Sequence, residues 1–145
     1  SRVFIDFAHT PDALDNVLKL AKNIAKNKIF LLFGCGGDRD KSKRPVMGKI
    51  ASDLADFVIV TDDNPRNEEA SEIRKEIILG IEGDNFVQIS PRSIAIKDAI
   101  DMLEEDDILI LAGKGHEKYQ IIGDIKYDFD EVEIVKNESK KFFKS

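Results

Sequence analysis

Residues 3–33 read VFIDFAHTPDALDNVLKLAKNIAKNKIFLLF, in which two short apolar runs enclose a longer amphipathic stretch. The runs at 3–7 and 29–33 are rich in branched and aromatic residues, which is typical of buried parallel strands. Between them, Thr10 can cap a helix whose first turn contains Pro11. The apolar positions of that helix recur at helical spacing: Leu14, Val17, Leu18, Ala21 and Ile24. The stretch therefore predicts one strand-helix-strand unit.

The same alternation of strands and helices continues along the chain. Further apolar runs predict strands at 57–60, 86–89 and 108–111. The stretches that separate them have helical spacing, at 44–54, 72–81 and 93–103. Strands that alternate with helices predict an α/β fold, here a Rossmann-like, mainly parallel sheet flanked by helices.

The pattern changes after residue 111. Segments 119–122 and 125–127 flank Gly123 and Asp124, a strong signal for a two-residue hairpin, so we expect the sheet to end antiparallel. Residues 131–143 predict a last amphipathic helix with its lysines on a solvated face. Its inward positions would be Val132, Val135 and one of Phe142 or Phe143.

Length and composition limit the class of protein. A chain of 145 residues with 42% hydrophobic residues can bury one core, and so one domain. A net charge of -6 argues against general binding to nucleic acid or anionic membrane. The sequence has neither an apolar run of roughly 18 residues nor a signal-peptide pattern, and Cys35 alone permits no internal disulfide. We therefore expect a cytoplasmic protein.

Four polar loops follow predicted strands: DFAHTPD at 6–12, GCGGDRDKSKRP at 34–45, TDDNPRNEE at 61–69 and AGKGHE at 112–117. In open parallel sheets, ligands bind beyond the carboxyl ends of the strands, because helix amino termini and loop amides converge there. The four loops are therefore expected to share one edge of the sheet.

The loop at 34–45 combines glycines with cations. Its glycines can bring main-chain amides close to a ligand, and the fork of Arg39 can bind a carboxylate bidentately. These residues suit a carboxylate or a phosphate, although an exposed turn with solvated charges has the same composition. The residues concerned are Gly34, Gly36, Gly37, Arg39, Lys41, Lys43 and Arg44.

The loop at 61–69 offers both hydrogen-bond donors and acceptors. Asn64 can donate and accept, whereas Arg66 can only donate, so together they can hold a zwitterion by its carboxylate. The alternative is an Asx-Pro turn in which Asn64 helps to cap the next helix. Asp62 and Asp63 could hold a magnesium ion, but no other residues complete a metal shell, and we predict no tightly held metal.

The remaining candidates lie in the last loop and the first. Gly113 and Gly115 frame Lys114, and Glu117 is placed to meet an ammonium group, which favours a functional loop over a structural one. His9 could be a base, but it has no nucleophile or metal ligand beside it in sequence, so a structural role is favoured. The sequence predicts no catalytic residue in this chain.

Taken in order, the four loops resemble the carboxy-terminal domain of Mur ligases, specifically those that add meso-diaminopimelate, over nearly the whole chain. The resemblance implies an ATP-dependent ligase of peptidoglycan synthesis that joins meso-diaminopimelate to UDP-MurNAc-L-Ala-D-Glu through an acyl phosphate. The DNPR sequence at 63–66 is characteristic of members that add diaminopimelate, whereas lysine-adding members generally lack its arginine.

Site residues follow from the resemblance by motif position. It implies that diaminopimelate contacts Arg39, Asn64, Arg66, Gly113 and Glu117, the first three at the distal carboxylate and the last two at the distal ammonium. It also implies that the nucleotide lies near Asp6, Phe7 and His9, with Asp6 near the ribose. Phe7 departs from the usual tyrosine, so a hydroxyl contact is not expected there.

The chain carries neither a GxxxxGK[ST] phosphate loop nor the family's shorter version of it. The resemblance implies that a central domain binds ATP and Mg²⁺ and supplies a carbamylated lysine, and that an amino-terminal domain binds the UDP group. Residues 1–145 would then be one domain that is inactive alone, and the start at Ser1, just before a strand, is expected for a domain excised at a linker.

Other functions remain open at this point. A lysine-adding ligase or a folylpolyglutamate-synthetase-like ligase would share the fold and the first loop. A stand-alone nucleotide- or phosphate-binding module would use Asp62 and Asp63 for magnesium in a receiver-like sheet. A regulatory or scaffold domain would leave the clustered polar loops without an explanation.

Overall fold

The computed structural model describes residues 1–114 and 117–142, and within them strands and helices alternate as predicted. The elements are β1 (Arg2–Asp6), α1 (Pro11–Ile24), β2 (Ile29–Phe33), α2 (Lys43–Leu54), β3 (Phe57–Val60), α3 (Ala70–Ile78), β4 (Phe86–Gln88), α4 (Arg92–Met102), β5 (Ile108–Ala112), β6 (Tyr119–Ile122), β7 (Ile125–Asp128) and α5 (Glu131–Phe142). Of the residues singled out from the sequence, Gly115, His116 and Phe143 lie outside the described ranges.

Five strands form one parallel sheet in the order β1-β5-β2-β3-β4. In this register Phe4 lies beside Ile110, and Leu31 lies between Ile110 and Val58. Every residue of β2 and β5 is buried, as expected for central strands that are covered on both faces. The predicted α/β fold with a parallel sheet is confirmed.

Helices cover both faces of the sheet. On one face α2 packs between α1 and α3, and on the other α4 packs against α5. Successive side chains of β2 alternate between the two cores, with Leu31 in the first and Leu32 in the second. Burying each such side chain contributes about 1.5–3 kcal/mol, so the two apolar layers hold the strand ends in fixed positions.

The first helix begins as predicted. Thr10 has extended backbone angles, with φ −123° and ψ 158°, and its Oγ1 accepts a hydrogen bond from the Ala13 amide at 3.2 Å. Pro11 is the first helical residue, where a missing amide costs nothing. This cap leaves residues 7–9 outside the helix, at the carboxyl end of β1.

The helix predicted at 72–81 is observed earlier, at Ala70–Ile78. After Ile78 the chain closes in short turns, in which the Gly80 amide donates to the Ile77 carbonyl and the Ile81 amide to the Ile78 carbonyl. A Cβ atom on Gly80 would lie 1.8 Å from the Pro45 carbonyl oxygen. The helix therefore ends where the backbone must pack directly against α2.

The predicted hairpin is present, but the expectation that it ends the main sheet is wrong. Strands β6 and β7 pair antiparallel as a separate two-stranded sheet, and Gly123 turns between them with φ 61°. The hairpin instead joins the loop after β3, where the Arg66 amide donates to the Ile121 carbonyl at 3.1 Å. Strand β6 therefore pairs with β7 and with this loop, and it does not extend the main sheet.

The last helix anchors the second face of the domain. Ile134 and Val135 pack against the core beneath α4, which agrees with the predicted inward position of Val135. Arg92 at the start of α4 and Glu131 at the start of α5 are both fully buried and form an ion pair at 2.7 Å. None of the helices within 1–114 and 117–142 is long and apolar enough to cross a membrane.

Candidate functional site

A cavity of about 490 Å³ lies at the carboxyl ends of the parallel strands and is shared by the loops that follow β1, β2, β3 and β5. Its residues are Phe7, His9, Thr10, Gly34, Cys35, Gly36, Arg39, Asp40, Lys43, Arg44, Met47, Asp63, Asn64, Arg66 and Glu117. Six of the eight predicted site residues line it, whereas Asp6 and Gly113 do not. The fold thus brings residues far apart in sequence to one surface.

The glycines after β2 let their loop pack closely against the loop after β3. A Cβ atom on Gly34 would lie 2.5 Å from the Thr61 carbonyl oxygen, and one on Gly37 would lie 1.8 Å from that of Pro65. The Gly37 amide also donates to the Asn64 carbonyl at 2.7 Å. The prediction that these glycines bring main-chain amides to a ligand is corrected at Gly37, whose amide is used by the neighbouring loop, whereas Gly34 and Gly36 line the cavity.

Arg66 is held in an uncommon backbone conformation with φ 52°. For a residue other than glycine this costs about 1–3 kcal/mol, a strain often found at ligand sites. Its Nη1 donates to the carbonyl oxygens of Gly37 at 3.1 Å and Asn64 at 3.3 Å. The guanidinium is thereby fixed at the cavity wall while its other N–H groups remain able to bind an anion.

Asn64 is buried and does not cap a helix, so that alternative from the sequence is wrong. Its Oδ1 accepts hydrogen bonds from Lys114 Nζ and from the Ile121 amide, both at 2.9 Å. Its amide nitrogen donates no hydrogen bond to the rest of the described chain. Asn64 therefore ties three segments together and can still donate into the cavity.

The two aspartates before Asn64 are engaged by cations of the protein. Asp62 forms an ion pair with Arg74 of α3 and accepts a hydrogen bond from Ser90 at 2.6 Å. Asp63 lies 3.1 Å from Lys114 Nζ. Nowhere in 1–114 and 117–142 do three or more His, Cys, Asp or Glu side chains gather as metal ligands. These two carboxylates are therefore poorly placed for magnesium.

Arg44, expected among the anion-binding cations, points inward instead. Its side chain is 1% exposed and donates to the Gly36 carbonyl at 3.0 Å and to Glu68 at 2.8 Å and 3.1 Å. It also pairs with Glu76. The hydrogen bond from Arg44 is the main cause that lowers the pKa of Glu68 to about 2. Arg44 thus fixes the glycine loop from its buried side.

Arg39 and Lys43 keep their charges on the cavity side. Both are exposed, and both line the cavity. The one hydrogen bond recorded for Arg39 among the described residues runs from Nη1 to the carbonyl oxygen of its neighbour Asp38, at 3.2 Å. Most of the Arg39 fork is therefore available for a carboxylate, and its role in binding one stays a prediction.

Phe7 and His9 form one rim of the cavity. Their rings meet edge to face with centroids 5.1 Å apart, and the Phe7 side chain is 53% exposed. His9 Nδ1 lies 3.0 Å from the Phe7 carbonyl oxygen, which holds the imidazole in place. The pair presents an exposed aromatic surface on which a planar ring can stack.

Asp6 and Gly113 lie outside the cavity lining and stabilise the loops next to the rim through hydrogen bonds. Asp6 Oδ1 accepts from the Ala8 amide at 2.8 Å, and the Asp6 carbonyl accepts from the Gly113 amide at 3.0 Å. Gly113 has φ 114°, which a side chain rarely adopts. Both residues therefore shape the loops after β1 and β5.

Glu117 is half-buried and lines the cavity. Its amide donates to the Lys114 carbonyl at 2.9 Å, while its carboxylate forms no hydrogen bond or ion pair within 1–114 and 117–142. This carboxylate is therefore available to an ammonium group, and its role in binding one stays a prediction.

Sequence reasoning missed the cavity-lining role of Met47 and the positioning role of Lys114. Met47 is 3% exposed, and its Sδ lies 3.8 Å from Cys35 Sγ, so it closes the floor of the cavity. The available signal was its place one turn into α2, on the apolar face.

Cys35 should be unreactive although it lines a cavity. Burial is the main cause that raises the pKa of its thiol from 9.0 to about 12. Only the thiolate attacks iodoacetamide, so alkylation at pH 8 should be slower by about a thousandfold than for the same chain unfolded in urea. Mass spectrometry over time measures both rates on this one cysteine, and equal rates would contradict the burial argument.

Comparison with known proteins identifies the family of the chain. Residues 1–115 match the family model of the Mur ligase, glutamate ligase domain. A UDP-N-acetylmuramoyl-L-alanyl-D-glutamate--2,6-diaminopimelate ligase 1 of Clostridium acetobutylicum is 52% identical over 141 residues, which are 97% of this chain and 29% of that protein. The ligase of the same name, without the number, from Rickettsia bellii is 57% identical over 136 residues, 92% of this chain and 29% of that protein.

A solved structure of a UDP-N-acetylmuramoyl-L-alanyl-D-glutamate--2,6-diaminopimelate ligase superimposes with a TM-score of 0.93 at 41% identity, over 99% of this chain and 30% of that one. The chain thus spans about 29% of the length of the curated relatives it matches. The resemblance found from the four loops is confirmed, and the chain belongs to the Mur ligase family, in its glutamate ligase domain.

Proposed function

We propose that this chain is the carboxy-terminal domain of an ATP-dependent ligase that adds meso-diaminopimelate to UDP-MurNAc-L-Ala-D-Glu, and that it binds and orients the amino acid. One observation carries the proposal: a single cavity is lined by the donors of Arg39, Asn64 and Arg66 together with the carboxylate of Glu117, which no other described residue pairs with. Such a set matches a group that carries both a carboxylate and an ammonium.

The distal end of diaminopimelate has both charges on one carbon. In our proposal Arg39, Arg66 and the Asn64 amide bind its carboxylate, and Glu117 binds its ammonium. The Gly113 amide donates to the Asp6 carbonyl, and we propose that the carbonyl oxygen of Gly113 accepts from the ammonium. Lysine lacks the distal carboxylate, and for lysine two guanidinium groups would remain without an anion.

The nucleotide is proposed to lie at the rim formed by Phe7 and His9, with Asp6 near the ribose. The exposed edge-to-face pair supports this, because a purine can stack on it. ATP phosphates and Mg²⁺ are proposed to be held by other parts of the ligase. The chain has no phosphate loop, and Asp62 and Asp63 are already paired with cations.

The role that remains for this chain is positioning. Its residues hold the diaminopimelate so that the free amine faces the activated carboxyl group of the UDP-linked acceptor, which the other domains bind. Orientation of this kind can supply several kcal/mol of rate enhancement, roughly 7–11 in the best cases. We therefore propose that residues 1–145 are inactive alone, and that the ligase works in the cytoplasm, where ATP and the acceptor are made.

Competing functions lack a comparable observation. A magnesium-dependent module would need Asp62 and Asp63 to be free, and Arg74 and Lys114 occupy them. A lysine-adding ligase would not need the cations gathered at the cavity. The diaminopimelate ligases named among the relatives favour the first proposal over a folylpolyglutamate-type ligase.

The test compares meso-diaminopimelate with L-lysine, which differ by the distal carboxylate. Amide NMR spectra of the 145-residue chain are recorded during titration with each amino acid to millimolar concentrations, where weak sites become visible. We expect saturable shifts at Asn64, Arg66 and Glu117 with diaminopimelate and not with lysine. Equal responses to both, or shifts confined to Asp62 and Asp63 with magnesium, would contradict the proposal. If neither amino acid shifts the spectrum, the same comparison is made by product formation in the full-length ligase.

A further inference from the structure

Lys114 is a fully buried cation behind the cavity wall. Its exposure is 0%, and Nζ lies 2.9 Å from Asn64 Oδ1, 2.9 Å from the Tyr119 carbonyl oxygen and 3.1 Å from Asp63 Oδ1. Asn64 Oδ1 and the Tyr119 carbonyl oxygen each accept one of its three protons, whereas the contact with Asp63 is an ion pair, and Asp63 Oδ1 accepts no hydrogen bond from the described residues. Because its side chain is fully buried and does not line the cavity, Lys114 does not contact a ligand there.

The contact with Lys114 determines which end of the Asn64 amide faces the cavity. A side-chain amide has an oxygen that accepts and a nitrogen that donates, and either end can occupy one place. Here two donors, Lys114 Nζ and the Ile121 amide, converge on the same atom. A rotated amide would set its NH₂ group against two donors and lose both hydrogen bonds. Asn64 must therefore turn its nitrogen away from Lys114.

We propose that Lys114 is a specificity-determining residue that acts through Asn64. It fixes the orientation of the Asn64 amide, so that the NH₂ group, which can only donate, faces the bound amino acid. An amide that can only donate favours a carboxylate and disfavours a second ammonium. The inference rests on the proposed function, in which Asn64 meets the distal carboxylate. It adds that the preference for diaminopimelate over lysine depends on a residue that does not touch the ligand.

Asp63 strengthens the same selection. Asp63 lines the cavity, and the Lys114 ammonium balances its charge at 3.1 Å. Without that ammonium, a carboxylate at the wall would repel the ligand's carboxylate and attract an ammonium. Loss of Lys114 therefore releases the orientation of the Asn64 amide and leaves the charge of Asp63 unbalanced. Both changes favour lysine over diaminopimelate.

The test uses the full-length ligase that contains this chain and measures kcat and KM with meso-diaminopimelate and with L-lysine. In Lys114→Met, which keeps the length of the side chain and removes its charge, the ratio of kcat/KM for diaminopimelate over lysine should fall by about tenfold or more. The KM for ATP should change little. Lys118→Met is the matched control, because Lys118 is exposed and nearby, and its ratio should equal that of the wild type.

Asp63→Asn combined with Lys114→Met separates amide orientation from charge and avoids a buried unpaired carboxylate if the single variant folds poorly. The double variant should still lose selectivity, because only the Ile121 amide then holds the Asn64 oxygen. An unchanged ratio in both variants overturns the proposal, and so does an equal loss of kcat/KM for both amino acids, which marks a merely structural lysine. A wild-type enzyme that uses lysine as well as diaminopimelate would instead refute the proposed function, and the inference with it.

Discussion

If the proposed function holds, Arg66→Ala in the full-length ligase is expected to raise the KM for meso-diaminopimelate by about a hundredfold. Truncating one partner of a buried, hydrogen-bonded charge pair costs roughly 2–5 kcal/mol, because the other charge remains without a counter-ion. Arg66 is half-buried and its Nη1 is already fixed by two carbonyl oxygens, so little entropy is lost when it binds. Steady-state kinetics with varied diaminopimelate measure the effect.

Two controls separate binding from collapse of the loop. Arg66→Lys keeps the positive charge and a residue other than glycine at this left-handed backbone position, but it removes the planar fork. The KM of this variant for diaminopimelate should therefore lie between those of the wild type and Arg66→Ala. The KM for ATP should stay within about twofold in both variants, because Phe7 and His9 lie on another loop. If the diaminopimelate requirement is unchanged in Arg66→Ala, Arg66 does not bind the amino acid.

Local sequence patterns were sufficient for most of the fold. Apolar runs located the strands, and Thr10 with Pro11 located the start of α1 within one residue. The end of α3 and the partner of the hairpin could not be found in this way. Both depend on contacts with distant segments, namely Gly80 against Pro45 and Ile121 against Arg66, and periodicity carries no information about such contacts.

The cavity could be located from the sequence, but the direction of individual cations could not. In the sequence, Arg39 and Arg44 were equally good candidates for binding an anion, because both follow the same parallel strand and ligands bind beyond the ends of such strands. The structure separates them, because Glu68 and Glu76 approach Arg44 from a later loop and helix. Lys114 follows the same pattern, since the three oxygen atoms around its ammonium belong to residues 63, 64 and 119.

Arg92 is the residue whose loss should destabilise the domain most. It is fully buried, and its Nε and Nη2 donate to Glu131 Oε1 at 3.0 Å and 2.7 Å. Other protons reach the carbonyl oxygens of Asp62 at 3.1 Å and Ala112 at 3.1 Å. One side chain thus joins α4, α5, the loop after β3 and the last residue of β5, behind the cavity.

We expect Arg92→Met to lower the free energy of unfolding by about 3–5 kcal/mol, because it leaves the Glu131 carboxylate buried without a cation. Denaturant unfolding followed by circular dichroism measures the loss as a lower midpoint. The matched variant is Arg92→Met with Glu131→Met, which replaces the pair by apolar groups and should recover much of the stability. A loss below about 1 kcal/mol in the single variant would mean that water reaches Glu131 in solution. A double variant no more stable than the single one would mean that the carbonyl oxygens of Asp62 and Ala112, and not the ion pair, are what Arg92 is needed for.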